Sequence, residues 1–266
     1  MIVYPFSFIK TAAGGGYDPD AQAFITATGI SGADADAINQ LVIDLKDYSL
    51  WNLIDAFYPF IGGTSTTCKY NLKDPQDTDG AYRMSFNGSW TFSSNGVVPQ
   101  SKSSSNYGDT YWSPYGSGGN RNNNHHYYRY INEINNKSCD YAGVGTPYLI
   151  MGYCAGLEWF DGSAALSNGG NPTNGYSQAI TKTATNDIRF YRKLDGGGSW
   201  GQFSGVQSDS STLPSTSMYI GTINGANFPE QMRYASLSYG QGLTATQIGD
   251  LDTIVTTYNT TLGRNF

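Results

Sequence analysis

The chain has 266 residues, with 15 Lys and Arg against 21 Asp and Glu and a formal net charge of −6. The cations are scattered singly, so there is no basic patch for a phosphate backbone or an anionic bilayer, and neither nucleic acid nor membrane is an expected partner. Charged residues make up only 14% of the chain and aromatics another 14%, with 21 Tyr, a mixture that favours strands and long loops over surface helices.

The start, MIVYPFSFIKTAAGGG, is apolar and then flexible. It has no positive n-region, so it is not expected to be a signal peptide. Residues 1–17 read as an arm with a glycine hinge, and Ile2, Val3, Tyr4, Phe6 and Phe8 are the candidates for attachment to a partner. DPDAQAFITATG then offers Asp18 as N-cap, Pro19 at the first helical position and Gly29 as a stop. From Ala33 to Tyr48, Ile38, Leu41, Val42, Leu45 and Tyr48 fall at helical spacing, which predicts an amphipathic helix. LWNLIDAFYPF is expected to add a further helical turn or two up to Pro59. Residues 18–63 thus form a helical segment in this reading.

Beyond Thr64 the texture changes to short β-type runs such as YRMSFNGSWTF, TPYLIMGY, IRFYRKL and RYASLSYG, separated by NG, DGGG and SNGG turn signals. Strands at that spacing without interleaved helices predict a mainly β domain over residues 64–266, a two-sheet antiparallel jelly-roll sandwich. At its end Thr244 and Gln247 form a capping box. Ile248, Leu251, Ile254, Val255, Tyr258 and Leu262 then form one apolar helical stripe.

The chemistry-bearing patterns are weak. Asp74, Asp77 and Asp79 lack the remaining ligands of an EF-hand loop in either register, so they are expected to edge a turn. GGSWG around Ser199 matches a nucleophile elbow as a string, but His125 and His126 precede it and no histidine follows, so a hairpin loop is expected. Glu158 and Asp161 are three apart in a strand-like run and do not fit the paired carboxylates of a glycosidase. His125 and His126 with Cys139 and Cys154 match no structural zinc spacing. Three cysteines without CxxC spacing suit a reducing compartment. No metal, cofactor or catalytic residue is expected.

The segment SSSNYGDTYWSPYGSGGNRNNNHHYY reads as a long decorated loop. Tyr111, Trp112, Tyr115, His125 and Tyr127 are its candidate contact residues, suited to a sugar, to a protein surface or to internal packing.

The stretches DPDAQAFI, AINQLVIDLKDYSLW, YPFIGGT, YNLKDP and SFNGSWT, with TYNTTLGR near the end, resemble a family of tailed-bacteriophage virion proteins with a concanavalin A-like, laminin-G-like sandwich. The resemblance covers most of residues 18–266 and is poorest over 97–175. It implies a noncatalytic virion component made in the host cytoplasm, a head fibre or capsid decoration attached through the N-terminal arm, or alternatively a tail-associated lectin-like module that binds a host surface glycan. Its implied partners are other virion proteins and further copies of the chain, with a trimer favoured.

Overall fold

The computed structural model describes residues 16–116, 121, 123–134, 140–144, 148–153, 157–162, 164–168, 174–194, 201–202, 213–224 and 229–266. In chain order the elements are α1 (Pro19–Thr28), α2 (Ala33–Asp47), β1 (Ile54–Tyr58), α3 (Ser65–Cys68), β2 (Ser85–Asn87), β3 (Trp90–Ser93), β4 (Gly96–Pro99), β5 (Tyr107–Asp109) and β6 (His125–Ile134). There follow β7 (Asp140–Val144), β8 (Tyr148–Tyr153), β9 (Leu157–Gly162), β10 (Ala164–Asn168), β11 (Tyr176–Lys182), β12 (Ile188–Leu194) and β13 (Gly201–Gln202). The last elements are β14 (Tyr219–Ile220), β15 (Ile223–Asn224), β16 (Met232–Gly240) and α4 (Ala245–Thr261).

The strands build two sheets. The first runs β13-β12-β11-β6-β16-β4-β3, with β1 also paired to β16, and the second runs β10-β9-β8-β7-β14-β5-β2, with β15 beside β7. All described pairings are antiparallel except β15 with β7. The chain is therefore the mainly β, two-sheet antiparallel sandwich expected from its sequence, with helices before and after it.

Three layers result. On β6, Tyr127 and Ile131 face the second sheet and join Leu149, Met151 and Ile220 in one core, whereas Tyr128 and Tyr130 face the helices and join Ile38, Leu41, Ile248 and Val255 in another. The period-2 alternation of a strand makes this division. A register shift in β16 near Ala235 lets Tyr234 and Leu237 share the inner face although they are three apart, as a β-bulge does.

The helix ends follow their residues. Asp18 Oδ1 accepts from the Asp20 N–H at 3.0 Å, and Gly29 closes α1 at φ 71°, a left-handed conformation that suits glycine. Lys46 Nζ lies 2.6 Å from both Asp18 and Asp20, fastening α2 to the start of α1. At α4 the Thr244 N–H donates to Gln247 Oε1 at 2.9 Å and the Gln247 N–H returns to Thr244 Oγ1 at 3.3 Å.

Two expectations need correcting. Residues 54–58 are strand β1, paired with Gly240 to Leu237 of β16, not a continuation of helix; Asp55 and the apolar run around it gain more from the sheet than from another turn. The segment from 103 to 128 is not one long loop, since it contains β5 and the start of β6. The arm candidates Ile2, Val3, Tyr4, Phe6 and Phe8 lie outside the described residues, as do Cys139, Cys154 and Ser199.

Candidate functional site

The helices cover the outer face of the first sheet; among the described residues no helix packs on the outer face of the second. The β2-β5-β14 end of that face carries the most chemistry. Gly108 points inward, where an added Cβ would lie 2.7 Å from Met84 Sδ and 2.8 Å from Ile220 Cγ1. Its neighbours Tyr107 and Asp109 therefore face outward. Register sets Asp109 opposite Ser85 on one side and Tyr219 on the other.

The rings of Tyr107 and Tyr219 stack with centroids 4.4 Å apart and planes within 9°. Both are half-buried, so each keeps part of its surface exposed. Burial and then the Asp109 carboxylate push the Tyr219 phenol up to about 12, which keeps it a neutral hydroxyl at physiological pH. Tyr107 stacks on Tyr219, and Asp109 also accepts the Tyr111 N–H, so the three tyrosines lie around one carboxylate.

Two tyrosines at this rim hold left-handed backbones, Tyr82 at φ 56° and Tyr111 at φ 53°, a conformation that costs about 1–2 kcal/mol outside glycine. Both are held by specific bonds. The Tyr111 N–H donates to Asp109 Oδ1 at 2.9 Å, and the buried Tyr58 hydroxyl donates to the Tyr82 carbonyl while reaching the Thr110 carbonyl at 3.3 Å. Between them the Arg83 guanidinium lies 5.9 Å from the Tyr111 ring centre. Strain of this kind, kept by surrounding structure, is concentrated at ligand-contacting sites.

Of the residues expected to make contacts, only Tyr111 belongs to this group. Trp112 is buried, stacks on Tyr239 at 4.9 Å and donates its indole N–H to Asp55 Oδ2 at 3.1 Å. Asp55 also receives Arg121 through both carboxylate oxygens, at 3.0 and 2.8 Å. Tyr127 and His125 are buried on β6, with His125 Nδ1 at 2.8 Å from the Arg121 carbonyl. Tyr115 is 40% exposed. The expected aromatic contact loop is thus mostly core, because the polar-looking run supplies strand β6 and an indole that fills the space between the sheets.

Asp77 is held by Lys69 and Arg83, and these partners keep its carboxyl below the usual range. Asp79 bonds Arg83 at 2.8 Å, and Asp74 Oδ1 accepts from Gln76 at 2.8 Å. The three aspartates therefore serve a turn and its ion pairs. Among the described residues no group of three or more His, Cys, Asp or Glu is placed to hold a metal ion. Glu158 and Asp161 lie on β9, which pairs with β8 and β10.

A second polar group is internal. Arg129, fully buried between the sheets, donates to Gln178 at 2.8 Å, to Tyr176 at 2.7 Å and to Glu230 at 3.2 Å. Burial opposes its charge, but Tyr176 and Glu230 outweigh that and hold it protonated. Arg129 and Glu230 are 0% exposed, and the bonds of Arg129 link β6 to β11 and to Glu230 just before β16.

No protein-family model matches the chain, nor does any curated protein. Among solved structures it is similar to a mutant of Trypanosoma rangeli sialidase displaying trans-sialidase activity, with a TM-score of 0.51 and 13% identity over 82% of this chain and 39% of that one. It is also similar to Trypanosoma rangeli sialidase, at a TM-score of 0.48 and 14% identity over 83% and 39%, and to an arabinofuranosidase, at 0.44 and 13% over 65% and 42%. The chain spans about two-fifths of the length of these proteins, and at such identities the likeness is one of fold. It corrects the expectation that the chain is not an enzyme: the structure sharing its sandwich at a TM-score of 0.51 is that of an enzyme, so this fold gives no ground for a chain without catalysis.

Proposed function

We propose that the chain is a carbohydrate-contacting β-sandwich module carried on a tailed-phage particle. The observation that carries the contact is the Tyr107–Tyr219 pair, half-buried on the outer face of the second sheet, which no helix covers among the described residues, with Asp109 opposite Tyr219. An aromatic ring beside hydroxyl and carboxylate groups suits a sugar, whose C–H face packs on the ring and whose hydroxyls bond the polar groups, and a few such groups fix orientation in a ligand site. The place on a particle is supported by the sequence stretches quoted above, from DPDAQAFI to TYNTTLGR, which resemble virion proteins. A head fibre or capsid decoration joined through residues 1–17 is the location that resemblance favours, and a host surface glycan is then the natural ligand.

The test is binding of the full chain to host surface polysaccharide, compared with Tyr107→Ala and Tyr219→Ala. Loss of binding in both variants, with thermal unfolding still cooperative, supports the reading. Unchanged binding in both removes it.

A further inference from the structure

The class of sugar follows from the charges around the same platform, an inference that rests on the glycan-contact reading. Three carboxylates, Asp77, Asp79 and Asp109, stand at this rim against two cations, Lys69 and Arg83. Neither cation is offered to a ligand: Lys69 is bonded to Asp77, and Arg83 donates to Asp77 at 3.1 Å and to Asp79 at 2.8 Å. Asp109 has no cationic partner among the described residues and faces Tyr219 across the strand pair. Its charge is felt by both Tyr219 and the buried Tyr58, whose phenols it raises after burial has done so.

We infer that the site takes a neutral glycan and discriminates against acidic sugars. A carboxylate accepts hydrogen bonds from sugar hydroxyls, and phenols can donate or accept, so the group suits a polyol. A uronate or other acidic sugar placed on the same rings would bring its charge beside Asp109, where the nearby cations among the described residues, Lys69 and Arg83, are already paired, and like-charge juxtaposition suppresses such partners. The chain's net charge of −6 acts in the same direction at long range.

The experiment is isothermal titration of the full chain with length-matched oligosaccharide pairs: oligogalactoside against oligogalacturonate, oligoglucoside against oligoglucuronate, and oligomannoside against oligomannuronate. For the tightest pair, the neutral member is expected to bind at least about tenfold more tightly at low salt, with the gap narrowing as ionic strength rises. Asp109→Asn keeps an oxygen that can accept the Tyr111 N–H, and it is expected to shrink the preference to less than about threefold. Equal or tighter binding of the acidic member, abolished by Tyr219→Ala, overturns the inference while leaving the platform as a glycan site. Failure of every pair to bind overturns both.

Discussion

Asp55 and Arg121 meet through two parallel hydrogen bonds of 3.0 and 2.8 Å, and the same carboxylate takes the Trp112 indole N–H at 3.1 Å. One side chain on β1 thereby ties down both Trp112, beside Tyr111, and Arg121, just before β6. Asp55→Asn leaves Arg121 without its anion in a site that is 12–13% exposed. Loss of one partner of a buried pair costs about 3 kcal/mol. Urea unfolding is expected to show a destabilisation of that order, with a changed near-ultraviolet signal from the displaced indole.

The internal pair predicts a larger loss from removing one charge than from removing both. Glu230→Ala strands the Arg129 charge between the sheets and is expected to cost about 4 kcal/mol. The double change Arg129→Met with Glu230→Leu removes both charges and is expected to recover most of that loss. Chemical denaturation of the two variants checks the difference; equal destabilisation would show that packing rather than charge sets the cost.

His126 gives the protein an acid-side dependence. It is fully buried, with Nδ1 at 2.6 Å from the Gln241 carbonyl and Nε2 at 2.8 Å from Ser238 Oγ. A neutral ring that donates from Nδ1 and accepts at Nε2 satisfies both partners. Burial lowers its pKa to about 4, below the ordinary value near 6.5. Between those values the unfolded chain binds the proton and the folded one does not, so stability is full above about pH 6.5 and falls toward pH 4. The loss amounts to about 3 kcal/mol by pH 4. Unfolding free energies at pH 7.5, 6 and 5 are expected to decline, and the decline should be shallower in His126→Gln.

The left-handed tyrosines predict a separation of stability from binding. Tyr111→Asn installs a residue that tolerates φ near +53° and relieves about 1 kcal/mol of backbone strain. It also removes a half-buried ring. The two effects are expected to leave the melting temperature within a few degrees of the parent while oligosaccharide affinity falls about tenfold. A large drop in melting temperature would mark the ring as packing alone.

Much of the helical layer was legible in the sequence because its signals are local. Asp18, Pro19 and Gly29 act within one helix, and Thr244 with Gln247 caps its own first turn. Strand β1 was misread because IDAFYPF is a short apolar run, which periodicity alone assigns poorly, and its partner Leu237–Gly240 lies far along the chain. Trp112, His125 and Tyr127 looked like contact residues because Asn and Gly surround them in sequence; Tyr239 and Asp55, which bury the indole, come from distant strands. Tyr82, Arg83, Tyr107, Asp109 and Tyr219 escaped the sequence reading for the same reason. The one available hint was Tyr-Gly-Asp at 107–109, where a glycine between two polar or aromatic residues marks a strand whose inner side is tightly filled.

The most direct test of the glycan-contact account is a backbone amide chemical-shift map of the full chain titrated with a neutral oligosaccharide. The account predicts shifts concentrated at Ser85, Gly108, Asp109, Tyr111 and Tyr219, with the helices α1, α2 and α4 unmoved. Shifts confined to any other face, or none at saturating sugar, would contradict it.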